Sequence, residues 1–221
     1  MSAAPRQLAA VLFDLDGVLV DTARLHYAAW KRLADQIGVE FDEQRNEALK
    51  GVDRMGSLVL LLGPHAARFT DVEKQRLAEH KNRWYVRSLD TVGRQDLLPG
   101  ALDALAQVTA CGLKVALVSA SRNAALLVDR LGIARYFDAI VDPAGIARGK
   151  PAPDLFLAAA RDVGALPVHC LGVEDAPAGI AALHAAGMAS IGIGSPKLLH
   201  DADWVLADLT QFRISDYRSA A

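Results

Sequence analysis

Short apolar runs in the second half of the chain alternate with longer amphipathic stretches. The runs L-K-V-A-L-V-S from Leu113, A-I-V-D from Ala139, C-L-G-V-E-D from Cys170, A-S-I-G-I from Ala189 and D-W-V-L-A from Asp203 read as strands, as does L-A-A-V-L-F-D near the start. Ala- and Leu-rich segments at 101–110, 123–131, 154–163 and 176–186 read as the helices between them. This alternation predicts an α/β fold, a Rossmann-like parallel sheet flanked by helices. Between Asp21 and Asp96 the pattern changes, because Arg-, Lys-, Glu- and Ala-rich amphipathic segments follow one another with no convincing strand. The expected organisation is therefore a discontinuous sheet domain, residues 1–20 and 97–221, interrupted by an all-helical insertion at 21–96.

With 221 residues and 52% hydrophobic content the chain can bury a full-sized core. The net charge of −2, with basic residues spread along the chain, gives no footprint for nucleic acid or an anionic membrane. Cys111 and Cys170 stand far apart without neighbouring metal-ligand partners, so both are expected as buried thiols. The early apolar run is broken at once by Asp14 and Asp16, which fits neither a signal peptide nor a membrane span, and a cytoplasmic protein is expected.

Those two acids are the first candidate chemistry. An Asp-Gly hairpin turn would explain Asp16 and Gly17 in A-V-L-F-D-L-D-G-V-L-V-D-T, but not Asp14. Residues two apart on a strand share a face, so the carboxylates would repel unless a cation lay between them. Glu174-Asp175 ends another strand, where helix capping is the alternative explanation. Parallel strands gather their C-terminal ends in one crevice, and three or four carboxylates there describe a hard-cation site. Ser119 and Ser121 in S-A-S-R-N read either as helix caps or as phosphate contacts. Lys150, in R-G-K-P-A-P-D, is by itself an ordinary surface lysine.

In chain order these strand ends offer D-L-D-G, S-A-S, G-K-P-A-P-D and G-V-E-D-A-P-A-G, a series that resembles the haloacid dehalogenase-like superfamily over the whole chain. The resemblance implies that the insertion is a cap domain. It makes Asp14 the nucleophile that becomes an aspartyl phosphate, and Asp16 the general acid and base. It places one Mg2+ on Asp14, the carbonyl of Asp16, Glu174 and Asp175, with Ser119 and Lys150 gripping the phosphoryl oxygens. It also marks Lys150-Pro151 as a candidate cis peptide.

Within the superfamily, L-K-G-V-D-R-M-G-S-L from Leu49, D-T-A-R-L-H-Y-A-A-W from Asp21, H-K-N-R-W-Y-V from His80 and S-A-S-R-N resemble the β-phosphoglucomutase branch. That branch implies a monomer acting on a small sugar phosphate through β-D-glucose 1,6-bisphosphate. Arg54 would take the distal phosphate, with Ser119, Ala120, Ser121 and Asn123 nearby. Lys50, Gly51, Val52, Ser57 and Lys81 would contact the sugar or shape the cap wall, and Thr22 and His26 would couple cap closure to Asp16. A solvated amphipathic-helix surface is the alternative for Lys50 and Arg54, and packing against Trp30 one turn later the alternative for His26. Met55-Gly56 and Arg122 depart from the family pattern, where bulkier polar residues and Lys are frequent. A phosphatase on the same scaffold is the alternative, and a non-catalytic sugar-phosphate binder a third.

Overall fold

The computed structural model describes residues 8–217; residues 1–7 and 218–221 of the expected sheet domain lie outside it. Six parallel strands form one sheet: β1 (Ala10–Phe13), β2 (Lys114–Leu117), β3 (Ala139–Ile140), β4 (Cys170–Glu174), β5 (Ala189–Ile193) and β6 (Trp204–Leu206). Their order is β3-β2-β1-β4-β5-β6, which puts the reversal of winding beside β1.

Strand alternation builds the two sides of the core. Val11, Phe13, Val115, Leu117, Leu171 and Val173 face one cluster, and Ala10, Leu12, Ala116, Val118 and Cys170 face the other. The first is closed by α5 (Ala101–Ala110) and α6 (Ala124–Arg130), the second by α7 (Asp154–Asp162) and α8 (Pro177–Ala185). Cys111 is only partly buried, contrary to expectation, because it sits where α5 ends before the left-handed Gly112.

The chain leaves the sheet after β1 and re-enters where Val20 and Leu97 form an isolated antiparallel bridge. Between them lie α1 (Ala23–Ile37), α2 (Glu43–Glu47), α3 (Arg54–Leu62) and α4 (Asp71–Ser88), an inserted helical cap with no strand. Its own apolar cluster includes Trp30, Leu33, Phe41, Leu58, Leu61 and Leu62. A capping box of Thr70 with Glu73 starts α4. Among the described residues no helix is long and apolar enough to cross a membrane.

Two local alternatives are not what the chain adopts. No hairpin follows β1: the strand stops at Phe13, and Leu15–Val20 fold into a compact turn in which Leu15 O accepts from Leu19 N and Val20 N. Gly17, at φ +83°, permits it, and a Cβ there would fall inside the Asp175 carboxylate. Nor is 49–58 one helix. Lys50–Val52 form a turn, and α3 begins at Arg54 because Asp53 Oδ1 accepts from Met55 N and Gly56 N at 2.9 and 3.1 Å.

Candidate active site

The C-terminal ends of β1, β2 and β4 meet under the cap. Asp14 follows β1, Ser119 lies just past β2, and Glu174 and Asp175 end β4, so neighbouring strands deliver all four side chains to one crevice. Asp14, Glu174 and Asp175 can each present an oxygen within 4.8 Å of the others'.

Lys150 comes up from the loop after β3, through a cis Lys150–Pro151 bond. Its Nζ lies 2.5 Å from Asp14 Oδ1, pairs with Glu174, and donates to Val118 O at 3.2 Å. Burial opposes the ammonium, but Asp14 and Glu174 outweigh it and raise its pKa. Glu174 is fully buried, and its other oxygen accepts from Asp175 N at 3.2 Å, so it orients the loop rather than capping α8, whose N-cap is Ala176. Burial raises Glu174 to about 7 against the pull of Lys150. Asp175 is raised well above the usual carboxylate range by burial, then by Glu174 and Asp14, and no cationic side chain pairs with it among the described residues. An all-oxygen, over-acidic cluster of this kind fits a hard divalent cation.

Asp16 sits in the turn beyond the strand rather than beside Asp14 on one strand face, as the strand reading expects. Thr22, at the start of α1, donates to it, and Tyr85 of α4 lies 3.2 Å from Thr22 Oγ1. The single threonine proton goes to Asp16, so the phenol of Tyr85 is the donor to Thr22. Burial lifts Asp16 to about 6, the Thr22 hydrogen bond opposes this, and Asp14 adds to it. A carboxyl lifted to within about one unit of neutral pH holds both protonation states in reach, which suits a group that must both give and take a proton.

A cavity of about 370 Å³ runs from Asp14, Asp16 and Asp175 to the cap. Its wall includes His26, Lys50, Gly51, Val52, Arg54, Ser57 and Lys81 on the cap side, and Ser119, Ala120, Ser121 and Asn123 on the sheet side. Thr22, Lys150 and Glu174 stand behind that wall, almost wholly buried. Lys50 is half-exposed and pairs with Glu47 at 2.8 Å; Ser57 is buried and donates to Val52 O at 3.2 Å. Ser119 and Ser121 do not cap α6: Ser119 Oγ accepts from Ser121 N, and Ser121 Oγ from Asn123 N, tightening the loop before the helix.

At the far end, Arg54 is half-buried with its pKa lowered, first by burial and then by Arg122. Two guanidiniums placed together favour an anion between them. Cap and sheet meet directly, with Asn123 Nδ2 donating to Asn82 Oδ1 at 2.9 Å, and a Cβ on Gly51 would lie 3.3 Å from Ala176. The ring of His26 pairs with Tyr85 rather than with Trp30. It stacks on Tyr85 at 3.8 Å and takes a 2.9 Å hydrogen bond from Lys81, which itself lies over the Trp30 ring.

Asn82, Tyr85 and the exposed-sheet-side Arg122 were not singled out as contacts by the sequence. The one available signal was the i, i+4 spacing of Lys81 and Tyr85, both buried on an otherwise highly charged α4.

A fold of this topology, with an acidic cluster and a lysine at its strand ends and a helical cap above, defines a phosphoryl-transfer class. The family model for haloacid dehalogenase-like hydrolases matches residues 8–187, and the chain belongs to that family. It is 45% identical to a β-phosphoglucomutase from Bacillus subtilis (strain 168), over 91% of each chain. It is 33% identical to a fructose-1-phosphate phosphatase from Escherichia coli (strain K12), over 84% of this chain and 96% of that one. The crystal structure of a β-phosphoglucomutase from Clostridium difficile superposes with a TM-score of 0.94 at 39% identity, covering 96% of this chain and 98% of that one.

Proposed function

We propose that the chain is a magnesium-dependent β-phosphoglucomutase, interconverting β-D-glucose 1-phosphate and D-glucose 6-phosphate through an aspartyl phosphate and β-D-glucose 1,6-bisphosphate. The observation that carries the reading is the two-ended cavity: a nucleophile with its proton-transfer partner at one end, and two arginines at the other. A phosphatase needs the first end alone; a sugar that leaves and returns reversed needs both. The names of the relatives at 45% and 39% identity support the same reading.

In this proposal residues 21–96 act as the cap, and residues 1–20 with 97–221 carry the reaction. Asp14 attacks phosphorus and holds the phosphoryl group as a mixed anhydride. Lys150 pairs with Asp14 and aims it, and Ser119 donates to a phosphoryl oxygen. Asp16 protonates the departing sugar oxygen, then removes the proton from the hydroxyl that attacks the aspartyl phosphate. Asp14, Glu174, Asp175 and the Asp16 carbonyl would hold the metal, which when bound neutralises charge on the phosphoryl oxygens.

Arg54, Arg122, Ser121 and Asn123 hold the distal phosphate while Lys50, Gly51, Val52, Ser57 and Lys81 line the sugar. With the cap down, the hydroxyl at Asp16 is the sugar's, not water's. The proposal extends to a monomeric cytoplasmic enzyme without nucleic-acid or membrane partners, in keeping with its charge of −2. The test is a product assay: β-glucose 1-phosphate with a trace of the bisphosphate should yield glucose 6-phosphate. Stoichiometric release of inorganic phosphate instead would establish the phosphatase.

A further inference from the structure

Lys81 occupies an unusual place for a lysine. It is 3% exposed, yet it forms part of the cavity wall. Its Nζ lies 2.9 Å from His26 Nδ1, 4.4 Å above the Trp30 ring and 4.9 Å from the Tyr85 ring. No carboxylate pairs with it among the described residues, whereas Lys50 is paired with Glu47, and Lys150 with Asp14 and Glu174.

We infer that Lys81 is an aldehyde-reactive amine, a covalent modification site for phosphate-bearing aldehydes, among them the open-chain form of an aldose phosphate held in the cleft. The inference rests on the sugar-phosphate reading above. The groups facing the amine are His26 and Trp30 from α1, Arg54 from α3, Tyr85 on α4 itself, and Asp16 from the turn after β1. Burial, then Arg54, lowers the amine to about 7, with Asp16 opposing. His26 is held neutral by burial, then by Lys81 and Arg54, so its Nδ1 accepts a hydrogen bond from the amine without adding a charge beside it. A substantial share of Lys81 is thus nucleophilic at neutral pH, where an ordinary lysine is almost wholly protonated.

The chemistry balances without an oxidant. The amine lone pair adds to the carbonyl carbon to give a carbinolamine, and the oxygen departs as water with the two amine hydrogens, leaving an imine. Arg54 and Arg122 supply the anion-binding groups that would hold the aldehyde's phosphate in the same cavity. Substrate and product differ in susceptibility: a sugar phosphorylated at C1 has its carbonyl carbon locked in an acetal, while glucose 6-phosphate opens to a free aldehyde. Accumulated product, not substrate, would therefore silence the enzyme slowly.

The experiment treats the full chain with pyridoxal 5′-phosphate, reduces with borohydride, and maps the modified peptide by mass spectrometry. Lys81 should take about one equivalent, at a rate about a hundredfold above Lys31 or Lys197 near neutral pH. That rate should level off above about pH 8 while the surface lysines continue to accelerate. Glucitol 6-phosphate, which has the phosphate but no carbonyl, should protect, and glucose 6-phosphate with cyanoborohydride should label the same residue. Lys81→Arg and Lys81→Met should both lose the label. Modification confined to Lys50 or surface lysines, or undiminished in Lys81→Arg, would overturn the inference. Because the map of the unmutated chain reads no turnover, isomerase activity with an unlabelled Lys81 counts against this inference alone, and labelling without isomerase activity counts against the mutase reading alone.

Discussion

The two walls of the cleft handle buried charge in opposite ways. On the sheet side Lys150 is locked between Asp14 and Glu174, and Asp175 completes an acidic group that could hold a cation. On the cap side Lys81 is buried and Arg54 half-buried, neither in an ion pair with a carboxylate among the described residues, and Arg122 stands close enough to Arg54 to oppose its charge. In the proposed reaction the first wall carries the phosphoryl chemistry and the second receives the distal anion, so the strand ends would transfer the group and the helices would choose its acceptor.

The largest effect expected from breaking this division is on the sheet side. Asp14→Asn should lower turnover by about 10⁶-fold, the scale for loss of a nucleophile, and leave no acid-stable phosphate on the protein in a rapid-quench assay. Asp16→Asn should cost about 10²- to 10⁴-fold in single-turnover transfer. The pH profile sharpens the assignment. Asp16 is raised to about 6, so its acid form, needed to phosphorylate Asp14 from the bisphosphate, is present below that pH and lost above it. That half-reaction should slow about tenfold per pH unit on the alkaline side, and the asparagine variant should lack this limb.

Gly179→Ala probes the same wall from behind. A Cβ there would fall inside the Glu174 carboxylate, pushing it from Lys150 and Asp175 N. Denaturant unfolding should show a loss of about 1–3 kcal/mol, with weaker metal dependence of activity. On the cap side the expected change is smaller. Tyr85→Phe removes the donor to Thr22 and should slow transfer about tenfold, the scale of one hydrogen bond, while raising the share of phosphate lost to water. Equal slowing of both acceptors would remove Tyr85 from acceptor choice.

The same contrast explains what the sequence revealed. Asp14, Ser119, Glu174 and Asp175 stand within a few positions of recognisable strand ends, and a parallel sheet has one place to bring such ends, so they were legible as a group, whereas Lys150, in the loop well past β3, was marked only by the family resemblance. The cap offers no comparable rule. Whether His26 packs on Trp30 or on Tyr85 depends on how α1 crosses α4, and the actual stack involves residues 59 positions apart. Asn82 meets Asn123 where cap and sheet touch, a long-range contact without a local signature. The alternative hairpin at Asp16-Gly17 does not form because the turn is shaped by tertiary packing: the space beside Gly17 is taken by Asp175, which no turn preference could foresee.

The most direct test of this division follows one phosphoryl group. Enzyme phosphorylated from labelled bisphosphate is chased with β-glucose 1-phosphate or with buffer alone, and the label is traced by rapid quench. With the sugar present, the account predicts that label leaves Asp14 far faster than in buffer and appears as bisphosphate and glucose 6-phosphate. Release as inorganic phosphate at one rate, with or without sugar, would contradict it.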